Sequence, residues 1–349
     1  MEPAVWHIGA MEGASSRRGF LRSLVRESAK GASEASRLLN VPGLPLPPRR
    51  PPPPPPARRP DPDLDRAKAA TGTVTLDELR ELAGEHGLED HLDEIAALAR
   101  HSVRLTTPTL QDDPVGAWLF EPTEGLLDES VWPLWEGERL TLVAQLDLTD
   151  PALRDVDLPL PVDGRLLVLW AAVQAPSGQL AAHAGAARVL HVPSPDGRPA
   201  PATRLSVELT LPRVWAAPVR ALGLDPIEHD GYLRLRRLVA TMQDVEFDDG
   251  FGRPVAYHRV LGYPNETGGL MPLTCELTAS GRDATDLDTA DDDVGARAGR
   301  WRLLAQLTAG AEGRWNLGGE PGRLYVWITD DDLRAGDFSR VRAIAQPGL

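Results

Sequence analysis

Six polar side chains carry most of the chemistry that this sequence offers: Gln145, Gln306, His258, Arg259, Tyr263 and Glu320. The two glutamines stand in the middle of apolar runs of strand length, Leu142-Val143-Ala144-Gln145-Leu146 and Leu303-Leu304-Ala305-Gln306-Leu307. A buried amide must find hydrogen-bond partners, so this pair is expected to cross-link two β units or to line a cleft between them, structural bonding being the stronger expectation. His258 and Arg259 precede a Gly262-Tyr263-Pro264 turn, where with Tyr263 and Glu320 they could meet an anionic ligand. The plainer expectation there is a strand end followed by a tight turn.

Other reactive constellations are missing. There is no Gly-x-Ser-x-Gly elbow and no phosphate loop, so no nucleophile can be assigned. His86 and His91 are five apart, do not share a helix face as a metal pair would, and are expected at the surface. The acidic loop Asp283, Asp286, Asp288, Asp291, Asp292 and Asp293 lacks the EF-hand glycine and terminal glutamate, and so reads as a solvated loop. The single cysteine, Cys275, excludes an intrachain disulfide and a Cys-based zinc site, and reads as a small core residue. No metal and no cofactor is implied.

The elements that must position these residues follow from periodicity and punctuation. Thr75 with Glu78 makes a capping box ahead of Leu76, Leu79 and Leu82, and a second helix carries Leu92, Ile95, Ala96 and Leu98. This helical hairpin is expected to pack on a sheet. From Val103 onward the chain reads as short strands: 102–106, 140–148, 164–170, 188–192, 205–211, 242–247 and 271–277, then 301–307 and 322–328. Pro212, Pro218 and Pro226 bound a helical connection, 232–241 reads as a short helix, and Asp330-Asp331-Asp332 marks a helix start. The run 142–146 echoes 303–307, and Gly164-Arg165-Leu166 echoes Gly322-Arg323-Leu324. The expectation is an α+β fold: a mainly antiparallel β-sheet core with an internal repeat of β units, about 103–212 and 242–346, and an N-terminal helical hairpin packed on it.

Charge and composition bound the partners. Of 37 Lys and Arg and 51 Asp and Glu, residues 1–60 hold 10 and 4, which leaves 27 against 47 for the remainder. An acidic body repels phosphate backbones, so no nucleic acid is expected on the folded domain. Residues 1–40 read as a basic amphipathic tail of helical spacing, with weak membrane-surface contact through 16–40 as one use for it. Ser16-Arg17-Arg18-Gly19-Phe20-Leu21-Arg22 resembles a twin-arginine export signal, but Arg26, Glu27 and Lys30 interrupt the apolar segment such a signal needs, so a cytoplasmic location is favoured. Residues 41–74 form a Pro/Arg-rich linker in which Pro51 to Pro56 dictate a stiff polyproline spacer.

From about residue 75 to the C-terminus the chain resembles the YwqG-like family of bacterial proteins, which carries a domain of unknown function. The resemblance rests on the helical hairpin leading to Val103-Arg104-Leu105, on 140–148 and Gly164-Arg165-Leu166, and on His258-Arg259-Val260-Leu261-Gly262-Tyr263-Pro264. It rests also on Trp301 to Leu307 and on Gly319-Glu320-Pro321-Gly322 leading into Leu324-Tyr325-Val326-Trp327-Ile328. The resemblance implies the fold and no established activity. Some members of that family occur near bacterial toxin systems, which suggests a toxin-neutralising immunity protein as one form of a non-catalytic intracellular binding or interaction protein with a protein partner. The alternative is an enzyme or small-molecule-binding protein with a pocket between the two β repeats.

Overall fold

The computed structural model describes residues 73–106, 127–150, 153, 159–172, 185–193, 204–243, 258–265, 270–283, 292–309, 317 and 322–347. The expectations for the tail, the linker, most of the acidic loop and Glu320 lie outside the described residues. All described residues belong to one compact unit, Pro60–Leu349.

The chain enters through helix α1 (Leu76–Glu85). Its capping box is complete: the Glu78 amide donates to Thr75 Oγ1 at 3.2 Å and the Thr75 amide donates to Glu78 Oε2 at 2.8 Å, satisfying two otherwise orphaned donors. A 3₁₀ turn, Glu89–His91, leads to α2 (Leu92–Leu98). The third partner is α4 (Pro226–Met242), which follows the short α3 (Ala217–Ala221) and starts on Asp225 with Pro226 in its first turn. Leu79, Leu82, Leu88 and Ile95 of the hairpin pack with Tyr232, Leu235 and Val239 of α4 and with Leu209 and Leu211. Fully burying such side chains contributes about 1.5–3 kcal/mol each. Gly231 makes the approach possible, because a Cβ there would lie 2.2 Å from the His86 carbonyl oxygen. His86 and His91 are half-buried: a His86 ring nitrogen lies 2.8 Å from the Leu82 carbonyl oxygen, and His91 is 3.5 Å from the Glu228 carboxylate.

Every registered strand pair is antiparallel. A six-stranded sheet has the order β11-β10-β9-β8-β1-β7, from β1 (Arg100–Thr106), β7 (Arg204–Thr210), β8 (His258–Leu261), β9 (Trp301–Ala309), β10 (Gly322–Thr329) and β11 (Arg342–Pro347). A three-stranded sheet has the order β4-β5-β6, from β4 (Thr141–Asp147), β5 (Arg165–Trp170) and β6 (Ala187–Val192). The two-residue strands β2 (Leu134–Trp135) and β3 (Glu138–Arg139) pair with each other. Side chains alternate along β10 as a pleat requires: Leu324, Val326 and Ile328 join the core shared with the three-stranded sheet. Tyr325 and Trp327 join a second cluster on the other side, with Met271, Cys275, Trp301, Leu303 and Ile344. The architecture is α+β with a large antiparallel sheet, sandwiched between a smaller sheet and helices.

The two strand pairs that echo each other in sequence share one register. Gln145 pairs with Leu167 and Gln306 with Tyr325, and two residues before each glutamine a bulge leaves Val143 and Leu304 as the extra residue. The sheets cut across the repeat boundaries, since β1 and β7 pair with each other and β1 also pairs with β8.

The strand expected over 271–277 is a helix, α5 (Met271–Ala279). Thr274, Cys275, Glu276 and Leu277 are all buried, so the run is covered on every side and shows no period. Likewise Met242 ends α4 rather than opening a strand, and 244–247 lie outside the described residues. Helix α6 (Asp292–Ala298) packs on α5, and α7 (Asp330–Ala335) is capped by Thr329. Among the described residues no helix is long and apolar enough to cross a membrane.

Candidate functional site

Register places one end of the six-stranded sheet where β1 and β9 begin and where β7, β8 and β10 end: Arg100 faces Thr210, Ser102 faces Leu261, and Trp301 faces Thr329. The segment 212–220, the 262–264 turn and parts of α5 and α6 surround this end, and they enclose a cleft of about 560 Å³. That volume lies within the range of small-molecule sites. Four arginines line it, Arg100, Arg213, Arg220 and Arg302, together with Trp215, Tyr263, Trp301 and Trp327. No aspartate, glutamate, histidine or cysteine is among the described lining residues.

The arginines are held in different ways. Arg302 is ion-paired to Asp330 at 2.6 Å and also donates to the Gly299 carbonyl at 2.7 Å. Burial lowers its pKa from the ordinary arginine value, and the charge of Arg100 adds to that, as expected of like charges brought near one cavity. The Arg100 guanidinium lies 4.5 Å over the Tyr263 ring. Among the described residues it has no carboxylate partner. Arg213 lies 5.1 Å over the Trp215 ring and donates to Asn265 Oδ1. Arg220 is exposed and has no carboxylate partner among the described residues. Burial pushes the Tyr263 hydroxyl above its usual value, with Arg100 opposing, so the phenol stays neutral.

The wall that carries Tyr263 is strained and braced. Leu261 sits at φ 61° and Gly262 at φ 70°, and a Cβ on Gly262 would lie 2.5 Å from Ser102 Cβ. A non-glycine residue in this region costs roughly 1–2 kcal/mol, so surrounding contacts must hold it. They come from buried polar groups. Glu208 Oε1 accepts from Arg259 Nε at 2.6 Å and from Ser102 Oγ at 2.8 Å, and Arg259 also donates to the Tyr263 carbonyl. Thr210 Oγ1 accepts from the Tyr263 amide at 3.1 Å and donates to the Arg100 carbonyl at 2.8 Å. Gln306 Oε1 accepts from the Asn265 amide at 2.7 Å, while Tyr325 and Arg323 donate to the Asn265 carbonyl at 3.1 and 3.0 Å. On the helical wall Glu276 accepts from Trp301 Nε1 at 3.0 Å and Arg297 Nε at 2.7 Å. Burial would raise its pKa, but these bonds and the charge of Arg300 outweigh it and hold the carboxyl below its usual range.

The residues singled out from sequence fall in four places. Tyr263 lines the cleft, and Arg259 and Gln306 brace the turn behind it. His258 is fully buried, its Nδ1 accepting from the Thr308 amide at 3.2 Å. Gln145 lies between the two sheets, where the gap is only about 20 Å³, room for about one water. Glu320 lies outside the described residues. The cleft arginines and Trp301 and Trp327 were not singled out; the one local signal is Pro212-Arg213-Val214-Trp215, a cation and an aromatic beside a chain-stiffening proline.

Fold and cleft together define an α+β protein with a cationic, aromatic-walled cleft at the end of its main sheet. The chain belongs to the family described as Domain of unknown function (DUF1963), whose model matches residues 125–346. That span contains every cleft residue named above except Arg100. Comparison with curated proteins finds no match.

Proposed function

We propose that this chain is a binding protein for a small organic anion, which it takes into the arginine-lined cleft without turning it over. The observation that carries the reading is the convergence of Arg100, Arg213, Arg220 and Arg302 on one cleft with no described acidic lining residue, in a chain of formal net charge -14. Arg100 and Arg220 have no carboxylate partner among the described residues, and cations gathered at one cleft are unfavourable until an anion neutralises them. Binding suits the site better than catalysis, because the described lining has no imidazole, carboxylate or thiol to move a proton or attack a substrate. The finer kinship with the YwqG-like proteins and a cytoplasmic setting belong to the same proposal. An immunity role toward a protein partner rests on the acidic composition and that resemblance alone, and the cleft speaks for a smaller ligand.

Titration calorimetry of the full chain with inorganic phosphate, benzoate, phenyl phosphate and benzylamine tests the proposal. At least one anion is expected to bind and benzylamine not to. Arg100→Gln combined with Arg220→Gln, neither of which breaks an ion pair among the described residues, should weaken the anion by about tenfold or more, the size of a lost charged hydrogen bond. Silence from all three anions, or equal binding of benzylamine, would sink it.

A further inference from the structure

Resting on that cleft reading, we propose that the ligand is a phosphate monoester whose organic part is flat and apolar, its dianion held by the arginines and its body lying against the lip formed by Trp215 and Leu270. Charge argues for a dianion. Arg302 already has Asp330, whereas Arg100 and Arg220, at the same cleft, have no carboxylate partner among the described residues, so the described lining offers at least two guanidinium charges to a ligand. A carboxylate supplies one negative charge, and a phosphate monoester supplies about 1.5 to 2 at neutral pH, with oxygens that suit the planar guanidinium fork.

The apolar part follows from the lip. Trp215 and Leu270 are 40% and 42% exposed, two of eight large apolar side chains open to solvent among the described residues, and both line the cleft with Pro218 and Pro272. One side of the Trp215 ring carries the Arg213 guanidinium, which leaves a stiff, flat surface suited to stacking. Trp327 also lines the cleft and is 3% exposed, and its indole N–H has no acceptor among the described residues. Inorganic phosphate would leave the lip bare, and an apolar neutral ligand would leave the guanidinium charges unmet.

The experiment compares 1-naphthyl phosphate, inorganic phosphate and 1-naphthoate by calorimetry on the full chain, with Trp215→Ala and Arg100→Gln variants checked for an unchanged melting temperature. The naphthyl phosphate is expected to bind at least about tenfold more tightly than either other probe. Trp215→Ala should lower its affinity toward that of inorganic phosphate, and Arg100→Gln should weaken both phosphates. Affinity for naphthyl phosphate should rise as pH passes upward through about 6, where its second proton leaves, while that for naphthoate stays level. The charged and titratable groups facing the ligand among the described residues are Arg100, Arg213, Arg220, Arg302 with Asp330, and the neutral Tyr263, so the pH response belongs to the ligand. Naphthoate or inorganic phosphate binding as tightly as naphthyl phosphate, or no response to Trp215→Ala, overturns the assignment of ligand class while leaving an anion cleft standing. If no anion binds at all, the cleft reading itself falls.

Discussion

His258 and Arg259 are adjacent, and their fates differ because successive side chains of a strand point to opposite faces. Arg259 is ion-paired with Glu208, whereas burial pushes the His258 pKa down to about 4 from 6.5. The folded state therefore binds the proton less readily than the unfolded chain does. Its contribution to stability is complete above about pH 6.5 and is lost as pH falls toward 4, amounting to roughly 3 kcal/mol across that window. Urea midpoints measured at pH 7 and pH 4.5 should fall in the wild type by clearly more than in His258→Gln. Equal falls would mean that the imidazole is not what acid attacks. Neighbouring positions suggested one anion site, with a strand end and tight turn as the plainer expectation. The pleat, which separates them, cannot be combined with partner positions until the strand register is known.

At the level of elements, the two hairpins carry the same glutamine at the same step after the same bulge, yet the glutamines are used differently. Gln306 braces the cleft wall through the Asn265 amide, and Gln145 sits in the nearly closed gap between the sheets. Gln306→Leu should leave a half-buried amide without its acceptor, cost about 1–3 kcal/mol in chemical denaturation, and weaken anion binding by loosening the turn that carries Tyr263. Gln145→Leu should leave anion affinity unchanged. Equal effects of the two substitutions on affinity would deny Gln306 its positioning role. Strand pairs of this kind were legible because period, punctuation and repetition agree. Helix α5 was not, since Met271-Pro272-Leu273-Thr274-Cys275-Glu276-Leu277 is buried between sheet and α6, and a segment covered all round shows neither the helical nor the strand period. Pro272 in its first turn was the local clue, and it also suits a strand start.

For the molecule as a whole, the cleft was out of reach of sequence reading because its arginines come from β1, the stretch after β7, α3 and β9, and only the strand order brings those places together. Legible instead was the charge imbalance around it. Outside residues 1–60 the chain carries 27 basic against 47 acidic side chains, so an approaching anion meets repulsion from the body before it feels the cleft. The Debye length shrinks from about 30 Å at 0.01 M salt to about 8 Å at 0.15 M, which screens distant carboxylates more than arginines in contact with the ligand. Association of naphthyl phosphate, followed by stopped-flow tryptophan fluorescence, should therefore quicken as sodium chloride rises over that range, while dissociation quickens as contact pairs weaken. A positively charged surface would give the opposite sign for association. A steady fall of the association rate with salt would show that the arginines dominate the field well outside the cleft, and that the acidic body has no part in selecting what enters.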